Sequence, residues 1–369
     1  MPAGWYGDPW QAAPWRWYDG TSWTGHTVDA PPGQTAERKP RLPSFLSVPV
    51  LVAGLPSIVL IGIGAVLVPL AIALGFVPLL IVVPVLLWMD RLEPEPWSAR
   101  LHAFLWGAFV AGAVSAVVNT IVAIGTSEVV AAVVSAPIIE EIMKALAIVW
   151  AVRRKEVDGV MDGLVYAGFA GIGFAVIEDF LYFFNADGEG LLLQTFVGRA
   201  LLTPFAHPLF TAWTGLAIGL AVRRQAPLST AWWGLALAIG SHAAWNGSLS
   251  FAEDETGMIF TLVVLLGFVA LFLGTGVAVV ILRGRDQKRF AELLPFLGQR
   301  YGVPPDELAA LSTWKQRRAV RRTLDKPARK RFDARAAAMH RLAALYDHPT
   351  APDPADELRL RAQLADAST

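Results

Sequence analysis

The chain has 369 residues and no cysteine, and 31 basic side chains balance 31 acidic ones for a formal net charge of +0. Only 17% of residues are charged and 54% are hydrophobic, against about 25% charged in ordinary soluble domains. The composition points to a membrane protein, and the lack of cysteine excludes disulfides, thiolate metal ligands and a cysteine nucleophile.

Residues 1–28 form a compact aromatic module, with Trp5, Trp10, Trp15, Trp17 and Trp23 alternating with turn formers. The Asp19-Gly20 pair between aromatic flanks is a hairpin signal, so a tiny β-meander is expected. A peptide-binding surface is the alternative use of such rings. Residues 29–43 read as a basic, disordered linker, and no apolar signal-peptide core precedes it.

Residues 44–282 hold nearly all the long apolar runs. They divide into eight candidate spans of about 20 residues each, the length a bilayer core requires. These lie near 45–66, 68–89, 101–124, 129–152, 159–184, 197–222, 230–251 and 258–282, the first two interrupted by prolines. The predicted fold class is therefore an all-α polytopic membrane protein. Basic residues follow every second span, at Arg91 and Arg100, Arg153 to Lys155, Arg223 and Arg224, and Arg283 onward. The intervening loops are acidic. By the positive-inside rule both termini face the cytoplasm, across a bacterial plasma membrane. The tail, 283–369, spaces Phe290, Leu293, Leu294 and Leu297, then Met339, Leu342 and Leu345, as helices do. Its basic runs, Lys315 to Arg318 and Arg321-Arg322, could touch anionic headgroups or be a plain solvated surface. No nucleic-acid partner is expected.

Five ionisable groups interrupt the apolar spans: Glu140, Glu141, Glu178, His207 and His242. A charge at bilayer depth costs roughly 2.5–3.5 kcal/mol even on the lenient scale, so such residues usually face a protein interior or a wet cavity. Glu140 and Lys144 are four apart on one helix face and can pair, whereas Glu141 points about 100° away. Such a pair could simply tie helices together, but it leaves Glu141 unexplained. Glycines 163, 168, 171 and 173 permit close helix approach ahead of Phe174 and Glu178. His207 lies between Pro204 and Pro208, which should open the helix locally. His242 has Asn246 one turn on.

Counted at about 1.5 Å per residue, Glu140 sits roughly 18 Å in from the external end of its span. Glu178 lies about 10 Å in, and each histidine about 15 Å in. This shared depth on four spans predicts a single site in the outer half of the bilayer. Two imidazoles and a carboxylate suit a divalent metal, with Zn²⁺ the expected ion. Glu178, His207 and His242 are the expected ligands and Glu140 the general base. Exchanging Glu140 and Glu141 fits nearly as well. Lys144 is expected to tune the base, and Asn246 to donate to an oxyanion.

These motifs resemble the PrsW family of bacterial intramembrane proteases, relatives of the CAAX- and bacteriocin-processing membrane proteases. The resemblance rests on Glu140-Glu141-x-x-Lys144, on Phe174-x-x-x-Glu178, on His207 and on His242-x-x-x-Asn246, and it covers about 100–282. The chain departs from the pattern at Thr203, where an aromatic residue is expected. The resemblance implies proteolysis, metal-dependent or glutamate-based, of a single-span membrane protein on its external side, such as an anti-sigma factor. The N-terminal module is similar to a short Trp-rich module of actinobacterial membrane proteins. The reading from another class is a proton- or cation-coupled transporter using the same Glu and His residues, although no inverted repeat is visible. A catalytically inactive scaffold is a third.

Overall fold

The computed structural model describes residues 4–10, 13, 15–18, 21–28, 45–91, 93–186, 188–251, 255–347 and 354–366. The linker 29–43, the Asp19-Gly20 turn, the loop 252–254, and Pro349 and Pro352 lie outside the described residues.

At the N-terminus, β1 (Gly4–Gly7), β2 (Trp15–Tyr18) and β3 (Trp23–Val28) make an antiparallel sheet in the order β1-β2-β3, with Gly4 opposite Tyr18. Aromatic edges supply the packing that a sheet this small cannot get from aliphatic side chains. Trp23 meets Tyr6, Tyr18 and Trp10 at centroid distances of 6.1, 5.3 and 6.4 Å.

The body contains α1 (Val48–Leu67), α2 (Pro69–Met89), α3 (Trp97–Gly125), α4 (Ala136–Arg153), α5 (Val160–Phe184), α6 (Gly188–Phe196), α7 (Ala206–Arg223), α8 (Trp232–Ser250) and α9 (Glu255–Tyr301). Among the described residues, six stretches are long and apolar enough to cross a membrane: α1, α2, α3, α5, Gly190–Arg223 and α9. The fourth and seventh expected spans also form helices, α4 and α8, of 18 and 19 residues. They are not among the six, because α4 carries Glu140, Glu141, Lys144 and Arg153, and α8 carries His242, Asn246 and three serines.

Helix α5 is the hub, with 89% of its apolar window buried inside protein against 6% for α9. Small residues make that position possible. A Cβ on Gly163 would lie 2.2 Å from the Gly215 carbonyl oxygen, and one on Gly173 would lie 2.1 Å from the Phe104 carbonyl oxygen. Backbone therefore meets backbone where α5 crosses α7 and α3. Tyr166, Val165 and Ile172 of α5 pack with Ile148 of α4 into the main apolar cluster. The Tyr166 hydroxyl donates to Glu95 Oε2 at 2.8 Å.

Helix α9 continues unbroken past residue 283, so the expected boundary between body and tail falls inside one helix. Beyond it, α10 (Pro305–Ser312), α11 (Trp314–Thr323), α12 (Lys326–Asp347) and α13 (Pro354–Asp366) follow. Phe290, Leu294, Leu297, Met339, Leu342 and Leu360 belong to a second apolar cluster, separate from that of the body. The helical spacing expected of the tail is therefore that of a buried face. His340 stacks on Phe290 at 3.5 Å between centroids, and its Nε2 accepts from Arg317.

Candidate active site

Two of the helices that build the site, α4 and α7, have irregular backbone beside it. Residues Ala131–Ser135, just before α4, and Val197–Leu202, between α6 and α7, are π-helical. After Leu202 the chain breaks over 203–205 and α7 starts at Ala206. Such wide turns are frequent at functional sites, and the break is the local opening that Pro204 and Pro208 predict. His207 consequently sits in the first turn of α7. It is pressed against α5 where a Cβ on Gly171 would come within 2.9 Å of the His207 carbonyl carbon and 2.7 Å of the Pro208 nitrogen.

Around this point Glu140, Glu141, Lys144, Glu178, His207 and His242 converge from α4, α5, α7 and α8. All but Glu178 are buried; the Glu178 side chain is 20% exposed. The Lys144 ammonium is central. Its Nζ lies 2.8 Å from Glu141 Oε1, 2.9 Å from His207 Nδ1 and 3.6 Å from Glu140 Oε2, and 4.0 Å above the Phe174 ring. Glu141 is held on both oxygens: Thr211 Oγ1 donates to Oε2 at 2.8 Å, and His242 Nδ1 lies 3.1 Å from Oε1. The far side of His242 looks at Glu140, with Nε2 to Oε2 at 3.8 Å. His207 Nε2 meets Glu178 Oε2 at 2.7 Å, and Phe174 holds the His207 ring edge-on at 4.9 Å.

The structure thus brings together Glu140, Glu141, Lys144, Glu178, His207 and His242, six of the seven side chains expected at the site. Asn246 stands apart. Its Nδ2 donates to the Ala132 carbonyl at 2.9 Å, so its amide ties α8 to the π-helical segment before α4 and does not point into the cluster as an oxyanion donor would. Two participants were missed from sequence. Arg199, on the π-helical segment, donates to Glu178 Oε2 and, at 2.7 Å, to Asp179 Oδ1. A lone arginine near the edge of an apolar run was the available signal. Thr211 is four residues after His207 on the same helix face, the position from which a hydroxyl reaches the same neighbours.

The group whose atoms could share one ion contains Glu140 where Glu178 was expected. Glu140, His207 and His242 each offer an atom within 4.8 Å of the other two, and buried Glu140 Oε2 has no hydrogen-bond partner. An orphaned carboxylate oxygen facing two imidazoles is a donor set that suits a divalent ion. Glu141 holds His242 by Nδ1 and leaves Nε2 toward Glu140, the outer-shell arrangement of ligating histidines. Glu178 is instead occupied by His207 and Arg199. Opposing a metal, the Lys144 ammonium already occupies acceptors that an entering cation would need.

Residues 95–275 match the family model described as PrsW family intramembrane metalloprotease, and residues 3–36 match that of a protein of unknown function, DUF2510. The chain is 32% identical over 152 residues to a protein named Protease PrsW from Clostridioides difficile (strain 630), covering 38% of this chain and 63% of that one. It is 33% identical over 135 residues to Protease PrsW from Geobacillus kaustophilus (strain HTA426), covering 36% and 58%. The matched stretches are thus under two thirds of each relative's length. No solved structure matches the chain. Its matched stretch holds every member of the buried cluster, and over residues 95–275 the chain is similar to the PrsW family.

Proposed function

We propose that this chain is an intramembrane endopeptidase that hydrolyses a peptide bond of a membrane-anchored, single-span protein, of which an anti-sigma factor is one candidate. The observation that carries the reading is the convergence of three carboxylates, a lysine and two imidazoles from four helices into one buried cluster. The family match supports hydrolysis over transport, because the named relatives are proteases.

In this mechanism Glu140, His207 and His242 would hold the divalent ion, Zn²⁺ by the chemistry of the donors. When bound, it would polarise the scissile carbonyl and acidify water. Water adds its oxygen to the carbonyl carbon, the C–N bond breaks, and the water's proton reaches the leaving amine. Glu178, the partly exposed carboxylate, takes that proton and passes it on. Glu141 orients His242, while Lys144 and Thr211 hold Glu141. A second reading, glutamate-based hydrolysis without a metal, is favoured by one contact: Lys144 Nζ against His207 Nδ1 at 2.9 Å. There Glu140 is the base and Lys144 stays in place.

External cleavage is part of the proposal. Arg223 and Arg283 line one cavity together with Met89 and Asp158, so these basic helix ends share one end of the body. Glu178 lies near the other end of α5, about 9 Å before Phe184 by helical rise. With the basic end cytoplasmic, both termini are cytoplasmic and the site opens outward.

The test measures metal content and cleavage of a co-reconstituted single-span reporter. The parent chain should cut the reporter and carry near-stoichiometric zinc, and Glu140→Gln should lose both. Cleavage by a parent chain free of metal, lost in Glu140→Gln, selects the glutamate-based reading. Undiminished cleavage by Glu140→Gln and by Glu178→Gln removes the protease assignment of this site.

A further inference from the structure

Over 314–335 the chain carries ten Lys and Arg against two Asp. In a chain with no net charge, this is a local concentration of positive charge that the fold must place somewhere. Lys315, Arg318, Arg322, Lys326, Lys330 and Arg331 are exposed and, among the described residues, form no ion pair. Lys315, Arg318 and Arg322 fall at i, i+3 and i+7, within about 60° of one another around α11. They form one face. The opposite side of α11 is turned inward by Arg317, which is buried and donates to His340, so the fold fixes which way the basic face looks.

Its height is fixed as well. The Arg91 guanidinium lies 3.4 Å over the ring of Trp314, the first residue of α11, and Arg91 is two residues beyond the end of the apolar helix α2. Arg283 of α9 donates to the Met89 carbonyl at that same end, at 2.9 Å. Burial, then repulsion from Arg318, lowers the Arg91 pKa. From Trp314 to Arg322 is about 12 Å of helix. The polar headgroup layer beyond a hydrocarbon core is of order 5–8 Å thick, and charges are felt over roughly 8 Å at physiological salt. The face therefore stands within reach of the lipid surface.

We infer that the basic face of α11, continued by the start of α12, docks on anionic phospholipid headgroups of the leaflet from which α2 and α9 emerge, and holds the tail against the membrane. Charge complementarity selects this occupant. Anionic headgroups at the ends of α2 and α9 would meet this face directly, whereas a nucleic acid would have to approach through that same negative surface.

The chain has no cysteine, so Ala319→Cys, on the exposed face between Arg318 and Arg322, gives a single labelling site. The labelled full chain is reconstituted in phosphatidylcholine vesicles and in vesicles of equal parts phosphatidylglycerol and phosphatidylcholine. Quenching by a headgroup-labelled lipid is then read at low and high salt. Docking predicts strong quenching only with phosphatidylglycerol, and its loss at high salt. The K315Q/R318Q/R322Q triple variant should lower the docked-to-free ratio on the order of a hundredfold, at about fivefold per basic residue. Equal quenching in the two vesicle types overturns the inference. So does protection by duplex DNA with no response to phosphatidylglycerol. The lipid comparison uses the unchanged face, so misfolding of the triple variant cannot mask the result.

Discussion

Gly171→Ala tests how the fold places His207. The added Cβ would lie 2.7 Å from the Pro208 nitrogen, 2.8 Å from its Cα and 2.9 Å from the His207 carbonyl carbon. All three are backbone atoms and cannot rotate away. Ordinary contact begins at 3.4 Å, so α7 must retreat from α5 by about 0.7 Å at its first turn. The His207 ring spans Lys144 Nζ at 2.9 Å and Glu178 Oε2 at 2.7 Å. A shift of that size carries at least one contact to the edge of hydrogen-bonding range, roughly 3.2 Å. Overpacking of this kind costs roughly 1–3 kcal/mol of stability, and a misplacement near 1 Å can cost about a hundredfold in rate. The assay is reporter cleavage in proteoliposomes alongside thermal unfolding in detergent. Gly240→Ala, where a Cβ meets nothing within 4 Å, is the matched control and should retain activity. If Gly171→Ala cleaves at the parent rate and unfolds with the parent, the α5–α7 contact is not what positions His207.

Lys144→Met should destabilise the body by about 3–5 kcal/mol, because it leaves buried Glu141 as an uncompensated charge. Adding Glu141→Gln should restore much of the loss, and additive effects in an unfolding double-mutant cycle would contradict the pairing. Asn246→Ala should remove one hydrogen bond to the Ala132 carbonyl and lower stability by about 1 kcal/mol, with kcat nearly kept. A large fall in kcat with stability unchanged would restore the oxyanion role. In the tail, burial and then Arg317 hold the His340 pKa well below its ordinary 6.5. The unfolded tail takes up a proton that folded His340 refuses, so its stability is full above about pH 6.5 and falls as pH drops below it. Protection factors of the amides at 336–343, with the pH dependence of intrinsic exchange divided out, should fall between pH 7.5 and 5.5, and His340→Gln should flatten that response. Buried Asp90, its pKa raised to about 6 by desolvation, pulls the body the other way, so exchange must be read in the tail itself.

Much of the site was legible because bilayer energetics make the sequence sparse in charge. Glu140, Glu141, Glu178, His207 and His242 stand out in apolar runs, and all five prove to lie in one cluster. Arg199 escaped because it falls close to the end of a span, where a basic residue ordinarily snorkels to the interface. Only the fold shows that it turns inward to Glu178 and Asp179. The prolines around His207 announced a break in the helix, but they could not say what the break approaches.

The order and polarity of residues determined by themselves the helical membrane body, the aromatic meander, the charged helical tail and the identity of the buried ionisable groups. Each follows from local propensity or from the price of placing charge in hydrocarbon, which a linear chain records residue by residue. The tertiary structure alone decided the partnerships. It gave Glu140, rather than Glu178, an atom within reach of both imidazoles, turned Asn246 to Ala132, set Lys144 beside Glu141, His207 and Glu140, and joined the tail's Trp314 to Arg91. Such pairings depend on how far each helix is rotated and shifted against its neighbours. Backbone contacts at glycines such as Gly163, Gly171 and Gly173 set those offsets, through distances between residues far apart in the chain.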